Sequence, residues 1–85
     1  MADTKALVWT DPAKADIRAI DQQPALQVLK TLARYVKTGK GNTKQLQGVS
    51  PPLFRLRAQN YRVFFRDRGE SLEILRVLDR KQAYR

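Results

Sequence analysis

The sequence predicts an α+β domain of order β-α-α-β-β-β, with two N-terminal helices packed on one face of a mostly antiparallel four-stranded sheet. Two observations predict it. Apolar residues recur at helical spacing through residues 11–37, and apolar and polar residues alternate with period two after Pro51-Pro52. At 85 residues the chain is long enough for one domain, residues 1–85, and too short for two independent cores.

The N-terminal part of the chain predicts one strand followed by two helices. The strand covers residues 5–10, which include Leu-Val-Trp. Asp11-Pro12 begins the first helix, because Asp caps free amides and Pro supplies the backbone angle of a first turn. An apolar stripe at spacings of three and four then predicts an amphipathic helix over residues 24–37. Gly39 ends this helix.

The C-terminal part predicts three strands, over residues 53–58, 61–67 and 71–78. Polar residues at 59–60 and 68–70 are typical of the turns that join antiparallel strands. Residues 38–52 are rich in Gly, Lys, Asn and Gln, and they are predicted to form a basic loop.

The chain contains neither cysteine nor histidine. Disulfides, thiol nucleophiles, imidazole bases and the usual zinc ligands are therefore excluded. We expect no metal site and no small-molecule cofactor. The sequence has neither an apolar run long enough to cross a bilayer nor a signal peptide, so we expect a cytoplasmic protein with no membrane partner.

Positive charge is the strongest compositional signal. Seventeen Lys and Arg residues face eight Asp and Glu residues, for a formal net charge of +9. Most of this excess lies in residues 37–68, where Asp67 is the single acid. Such a concentration indicates an anionic partner, and nucleic acid is the first candidate.

Alternation along the predicted strands separates apolar side chains from arginines. We expect the helices to cover one face, made of Leu56, Val63, Phe65, Leu75 and Val77. The other face is then a continuous cationic surface with Phe64 among its arginines, which are Arg55, Arg57, Arg62, Arg66, Arg76 and Arg80. Guanidinium groups bind phosphates in a bidentate way. Phe64 either stacks on a base or covers the guanidinium stems.

Three segments resemble the RelE/ParE superfamily of bacterial toxins from type II toxin–antitoxin systems. They are KQLQG at residues 44–48, LFRLRAQNYRVFFRD at residues 53–67 and LEILRVLDRKQAYR at residues 72–85. The most specific piece is the segment 56–63, which ends in Tyr-Arg-Val. The second is the ending at 76–84, where a Tyr follows an Arg by four residues. The predicted order of elements is also the order in that family.

The resemblance implies an endoribonuclease. RelE-like members enter the ribosomal A site and cut mRNA without a metal, by attack of the ribose 2′-OH on the adjacent phosphate. Their basic residue set corresponds here to five catalytic candidates, which are Arg55, Arg57, Arg62, Arg80 and Tyr84. The surrounding candidates for RNA binding are Lys44, Phe64, Arg66 and Arg76. The implied partners are mRNA, ribosomal RNA and a cognate antitoxin protein.

The sequence leaves two questions open. Arginine does not deprotonate near neutral pH, so the general base is unassigned among the ribosome, solvent and Tyr84. Two other functions also remain as alternatives: a ParE-like inhibitor of DNA gyrase, and a basic RNA-binding module without chemistry. Because Arg62 and Arg80 point away from the predicted helices, we expect both to be dispensable for folding.

Overall fold

A computed structural model describes residues 5–83 as five strands and three helices. In chain order they are β1 (Ala6–Trp9), α1 (Asp11–Ala19), α2 (Gln22–Thr38), β2 (Thr43–Gln45), β3 (Phe54–Ala58), β4 (Tyr61–Asp67), β5 (Ser71–Asp79) and α3 (Arg80–Ala83). The strands form one sheet in the order β1-β5-β4-β3-β2. Within this part of the chain, every helix is too short or too polar to cross a bilayer.

The predicted α+β architecture is confirmed, but the prediction of a four-stranded sheet is wrong. The sheet has five strands and is mixed, because β1 runs parallel to β5 while the other neighbours are antiparallel. The additional strand is β2, inside the segment predicted to be a loop. Its residues are polar and do not alternate, so only the pairing of Thr43 with Leu56 and of Gln45 with Phe54 defines it as a strand.

Helix α1 begins one residue earlier than a cap at Asp11 requires. Thr10 is the N-cap: its Oγ1 accepts a hydrogen bond from the Ala13 amide at 3.4 Å and donates one to the Ile74 carbonyl at 2.8 Å. The prediction that Asp11 caps the helix is therefore wrong, and its charge lies instead in the first turn, near the positive end of the helix dipole. Thr10 thereby joins the start of α1 to β5.

Helices α1 and α2 contribute to a core on one face of the sheet. Ala13 of α1 and Val28 and Leu32 of α2 are fully buried. They belong to one cluster with strand residues that lie on the same face, which are Leu56, Ala58, Val63, Phe65, Leu72, Ile74 and Val77.

A β-bulge changes which side chains of β5 reach that core. The pairing of β4 with β5 shifts between Phe64 and Phe65, so that Phe64 pairs with Arg76 and Phe65 pairs with Ile74. Leu75 is the extra residue, and strict alternation is interrupted there. The prediction that Leu75 belongs to the helix-covered face is therefore wrong: Ile74 is fully buried, and Leu75 is only half-buried.

Candidate nucleic-acid interface

A row of side chains crosses four strands on the face opposite the core. Lys44 of β2 pairs with Arg55, Arg55 with Phe64, and Phe64 with Arg76. Directly paired residues lie on the same side of a sheet, about 5 Å apart. We call these four residues the basic row. It places two predicted RNA-binding residues, Lys44 and Phe64, beside the predicted catalytic residue Arg55.

A second pair of arginines lies nearer the turn that joins β3 to β4. Arg57 pairs with Arg62 across the two strands. Arg57 is exposed, whereas Arg62 is only 4% exposed. The Arg62 Nη1 group donates hydrogen bonds to the carbonyls of Gln59 at 2.7 Å and Tyr61 at 3.0 Å. The prediction that Arg62 is part of an open surface is therefore wrong, because its guanidinium folds back onto the turn.

Carboxylates interrupt the cationic surface at its β5 side. Arg76 forms a two-point ion pair with Asp16 of α1, with Nε–Oδ2 at 2.7 Å and Nη2–Oδ1 at 3.1 Å. The hydrogen bond from Arg76 to Asp16 and the charge of that carboxylate raise the pKa of Arg76 above its ordinary value. Arg66 is half-buried and pairs across the strands with Glu73. The cationic surface is thus strongest on β2 and β3.

Arg80 lies apart from the basic row. Strand β5 ends at Asp79, so Arg80 is the first residue of α3 rather than a strand residue. Its backbone amide donates a hydrogen bond to the Asn60 carbonyl at 2.7 Å, and its side chain is exposed. The structure therefore brings Arg80 to the β3–β4 turn, where Arg62 is also bound. Tyr84, the remaining catalytic candidate, lies outside the described residues.

A cleft of about 700 Å³ opens beside this turn. It lies between the turn, the N-terminal part of α2 and the start of α3, and we call it the amide cleft. Its lining includes four carboxamides, an aromatic ring and a guanidinium, from Gln23, Gln27, Gln59, Asn60, Tyr61 and Arg80. Sequence reasoning missed this site, because the glutamines indicated only a break between helices and a polar turn.

A second concavity lies at the other end of α2. Arg34, Lys40 and Arg57 line it, together with Asn42. The loop is held against β3 by a hydrogen bond from the Arg57 amide to the Asn42 carbonyl at 2.9 Å. Gly41 allows this approach, since a Cβ there would lie 3.0 Å from Leu56 and 3.2 Å from Tyr35. Three cations without a lining acid can hold an anion such as a phosphate group.

The chemistry available at these sites is that of guanidinium, ammonium and carboxamide groups, and the amide cleft adds the phenol of Tyr61 and the carboxylate of Asp79. Within residues 5–83, no three Asp or Glu side chains lie together as the ligands of a metal ion would. The site can therefore bind and polarise a phosphodiester through fixed positive charge, and it can hydrogen-bond the edges of bases through its amides.

Comparisons with known proteins agree with this fold. A family model described as the ParE toxin of type II toxin-antitoxin system, parDE, matches residues 7–84. No curated protein sequence matches the chain.

Three solved structures share its architecture. A chain of the RelB-RelE antitoxin-toxin complex from Methanococcus jannaschii superimposes with a TM-score of 0.74 at 18% identity, covering 91% of this chain and 94% of that one. The RelE-RelB complex from Pyrococcus horikoshii gives a TM-score of 0.72 at 17% identity, with coverage of 91% and 96%. The YoeB dimer from Staphylococcus aureus gives 0.73 at 12% identity, with coverage of 88% and 95%.

Proposed function

The chain belongs to the ParE toxin family of type II toxin–antitoxin systems, and on that premise we propose that it is an endoribonuclease that cuts mRNA on the ribosome. One observation carries the proposal: three arginines from three different elements meet at the β3–β4 turn. Arg62 binds two of its carbonyls, Arg80 binds the Asn60 carbonyl through its amide, and Arg57 pairs with Arg62 across the strands. This geometry favours recognition of a phosphodiester.

The proposed reaction needs positive charge more than it needs a metal. The ribose 2′-oxygen attacks the adjacent phosphorus, the bond to the 5′-oxygen breaks, and negative charge grows first on the phosphoryl oxygens and then on the leaving oxygen. Cations fixed near these atoms lower the barrier. In comparable sites, the loss of one such contact raises the barrier by about 3–4 kcal/mol. Arg62 and Arg80 are assigned to the scissile phosphate, and Arg55 and Arg57 to flanking phosphates. For Arg62 this contact requires its buried guanidinium to leave the carbonyls of Gln59 and Tyr61.

Proton transfer is a separate requirement. Arginine as a residue type supplies positive charge and not a general base. The proton of the 2′-OH must go to the ribosome, to solvent or to Tyr84, and the leaving 5′-oxygen must receive one. Tyr84 is otherwise assigned to stack on a base or to orient the ribose.

We also infer a cognate antitoxin. Two of the similar structures are complexes of RelE with RelB, and the net charge of +9 favours an acidic segment that wraps the toxin. An adjacent open reading frame for a small acidic protein is expected. Failure of that protein to bind this chain would contradict the inference.

Inhibition of DNA gyrase is the second candidate function. Two observations favour it: the matching family model describes a ParE toxin, and Arg62 is buried rather than displayed. In this case the basic surface binds a protein or DNA, and no RNA bond is cut.

Mapping of mRNA ends in a reconstituted translation system separates the two functions. We expect new ends within the codon in the ribosomal A site, only when ribosomes are present. Arg57→Ala and Arg80→Ala should each reduce cutting at least tenfold, and Arg18→Ala on the exposed surface of α1 should not. Intact mRNA together with arrested DNA supercoiling would instead establish the gyrase function.

A further inference from the structure

Four of the side chains that line the amide cleft are carboxamides. Gln23 and Gln27 lie on successive turns of α2 and therefore share one side of the helix. Gln59 and Asn60 face them from the β3–β4 turn. Gln59 Nε2 lies 3.5 Å from Gln27 Oε1, at the long limit of a hydrogen bond, so this contact uses little of their bonding capacity.

Carboxamides match the edges of nucleobases in a way that cations do not. Each offers both a donor and an acceptor, and the pair can meet a complementary pair on one base. Unpaired bases of RNA are recognised through such edge contacts and through stacking on aromatic rings. Tyr61 is half-buried in the same lining. The volume of about 700 Å³ is ample for one nucleotide.

The cleft also lies next to the arginines assigned to the phosphate. Arg80 is itself part of the lining. Gln59 and Tyr61 supply the carbonyls that bind Arg62, and Asn60 supplies the carbonyl that binds the Arg80 amide. An RNA strand whose phosphate contacts these arginines therefore has a neighbouring base beside the amide cleft.

We propose that the amide cleft binds one nucleobase of the RNA substrate and thereby sets the sequence preference of cleavage, with Gln23 and Gln27 as its specificity-determining residues. The inference rests on the proposed endoribonuclease function. It assigns the cleft to RNA and not to the antitoxin, because its lining offers hydrogen-bonding edges next to the phosphate site rather than an apolar groove.

The experiment has two arms that use the full chain. In the first, the four nucleoside 5′-monophosphates are titrated separately, and the side-chain amide resonances of Gln23, Gln27, Gln59 and Asn60 are followed by NMR. In the second, cut sites are mapped on an mRNA that presents every sense codon during translation. Gln23→Ala and Gln27→Met remove the amides, and Gln22→Ala on the same helix turn, which does not line the cleft, is the matched control.

We expect one base to shift the cleft resonances at lower concentration than the other three. The two cleft variants should change the ratio of cutting between preferred and disfavoured bases by about fivefold to a hundredfold, the range for one amide–base pair. The Gln22→Ala control should keep the wild-type ratio.

Other outcomes would overturn one proposal or the other. An unchanged base ratio in both variants, together with resonances that no nucleotide shifts selectively, would contradict a base-reading cleft. An unchanged ratio, together with weaker binding of the same two variants to the antitoxin in a separate titration, would assign the cleft to the protein partner instead. Absence of any cutting by the wild-type chain would overturn the endoribonuclease function, and the NMR titration would then decide on the cleft alone.

Discussion

Arg62 combines a charge with deep burial, and this decides what its substitution would report. Its side chain is 4% exposed, and its guanidinium binds two backbone carbonyls of the β3–β4 turn. Alternation along β4 predicts that Arg62 is dispensable for folding. Its burial leads to the opposite expectation, because a lost partner leaves polar atoms of the turn unsatisfied. Arg57 and Arg80 are therefore the cleaner probes of chemistry.

Arg62→Ala should lower the free energy of unfolding by about 1–3 kcal/mol, because the carbonyls of Gln59 and Tyr61 lose a charged donor. Arg57→Ala changes the paired position, but its side chain is exposed and the cost should stay within about 0.5 kcal/mol. Urea unfolding of both variants measures the difference. Equal stability of the two would show that the carbonyl contacts of Arg62 contribute nothing.

Asp67 should make a small contribution to the free energy of unfolding that is lost at acid pH. The hydrogen bond from Lys5 at 2.6 Å, followed by one from the Gly69 amide, lowers the pKa of Asp67 below its ordinary value. Because the folded pKa lies below the unfolded value of about 3.9, the contribution is present above that pH and is lost as pH falls through the folded pKa. The side chains are about one-third exposed, so the effect should be below about 1 kcal/mol.

The substitution Asp67→Asn tests this pH dependence, since the amide keeps an oxygen for Gly69 and loses the charge that Lys5 binds. Urea unfolding of both proteins between about pH 2 and pH 6 should show that the free energy of unfolding falls less steeply with acid in the variant. Parallel curves over that range would contradict a lowered pKa.

At the scale of elements, local signals were sufficient for some segments and insufficient for others. Helix α2 has a long apolar stripe and ends at Gly39 in the left-handed conformation, so its existence follows from the sequence. Strand β2 and the bulge at Leu75 depend on partners distant in the chain. The face opposite the core was predictable for β3 and β4, whereas the amide cleft was not, since it forms only where three separate segments meet.

The bulge predicts that Ile74 matters more for stability than Leu75, whereas strict alternation of side chains along β5 predicts the opposite order. Ile74→Ala should destabilise the protein by about 2–5 kcal/mol, because Ile74 is fully buried against the core. Leu75→Ala should cost distinctly less, because Leu75 is the half-buried extra residue of the bulge. Thermal or urea unfolding of the two variants ranks them. A larger loss of stability for Leu75→Ala than for Ile74→Ala would indicate that side chains alternate along β5 without interruption, and it would contradict the bulge.

At the scale of the whole molecule, the two layers separate packing from charge. The helices and one sheet face form the apolar core, while Lys44, Arg55 and Arg57 lie on the other sheet face. Asp16 forms an ion pair with Arg76, and Glu73 forms one with Arg68, so the positive charges of these two arginines are partly offset. Strands β2 and β3 carry three basic residues and no acidic residue, so an extended anion gains most from binding there.

This distribution predicts how salt affects binding of RNA. Each phosphate contact with a single strand contributes about −0.7 to the slope of log affinity against log salt. Arg57→Ala should therefore make the slope shallower by about 0.7, whereas Arg76→Ala should change it less, since Asp16 already offsets that charge. Arg18→Ala on α1 is the control and should leave the slope unchanged.

An oligonucleotide with 2′-O-methyl riboses lacks the attacking hydroxyl, so fluorescence anisotropy can follow its binding without cleavage. Equal slopes for the Arg57 and Arg18 variants would exclude the face opposite the core as the path of the RNA.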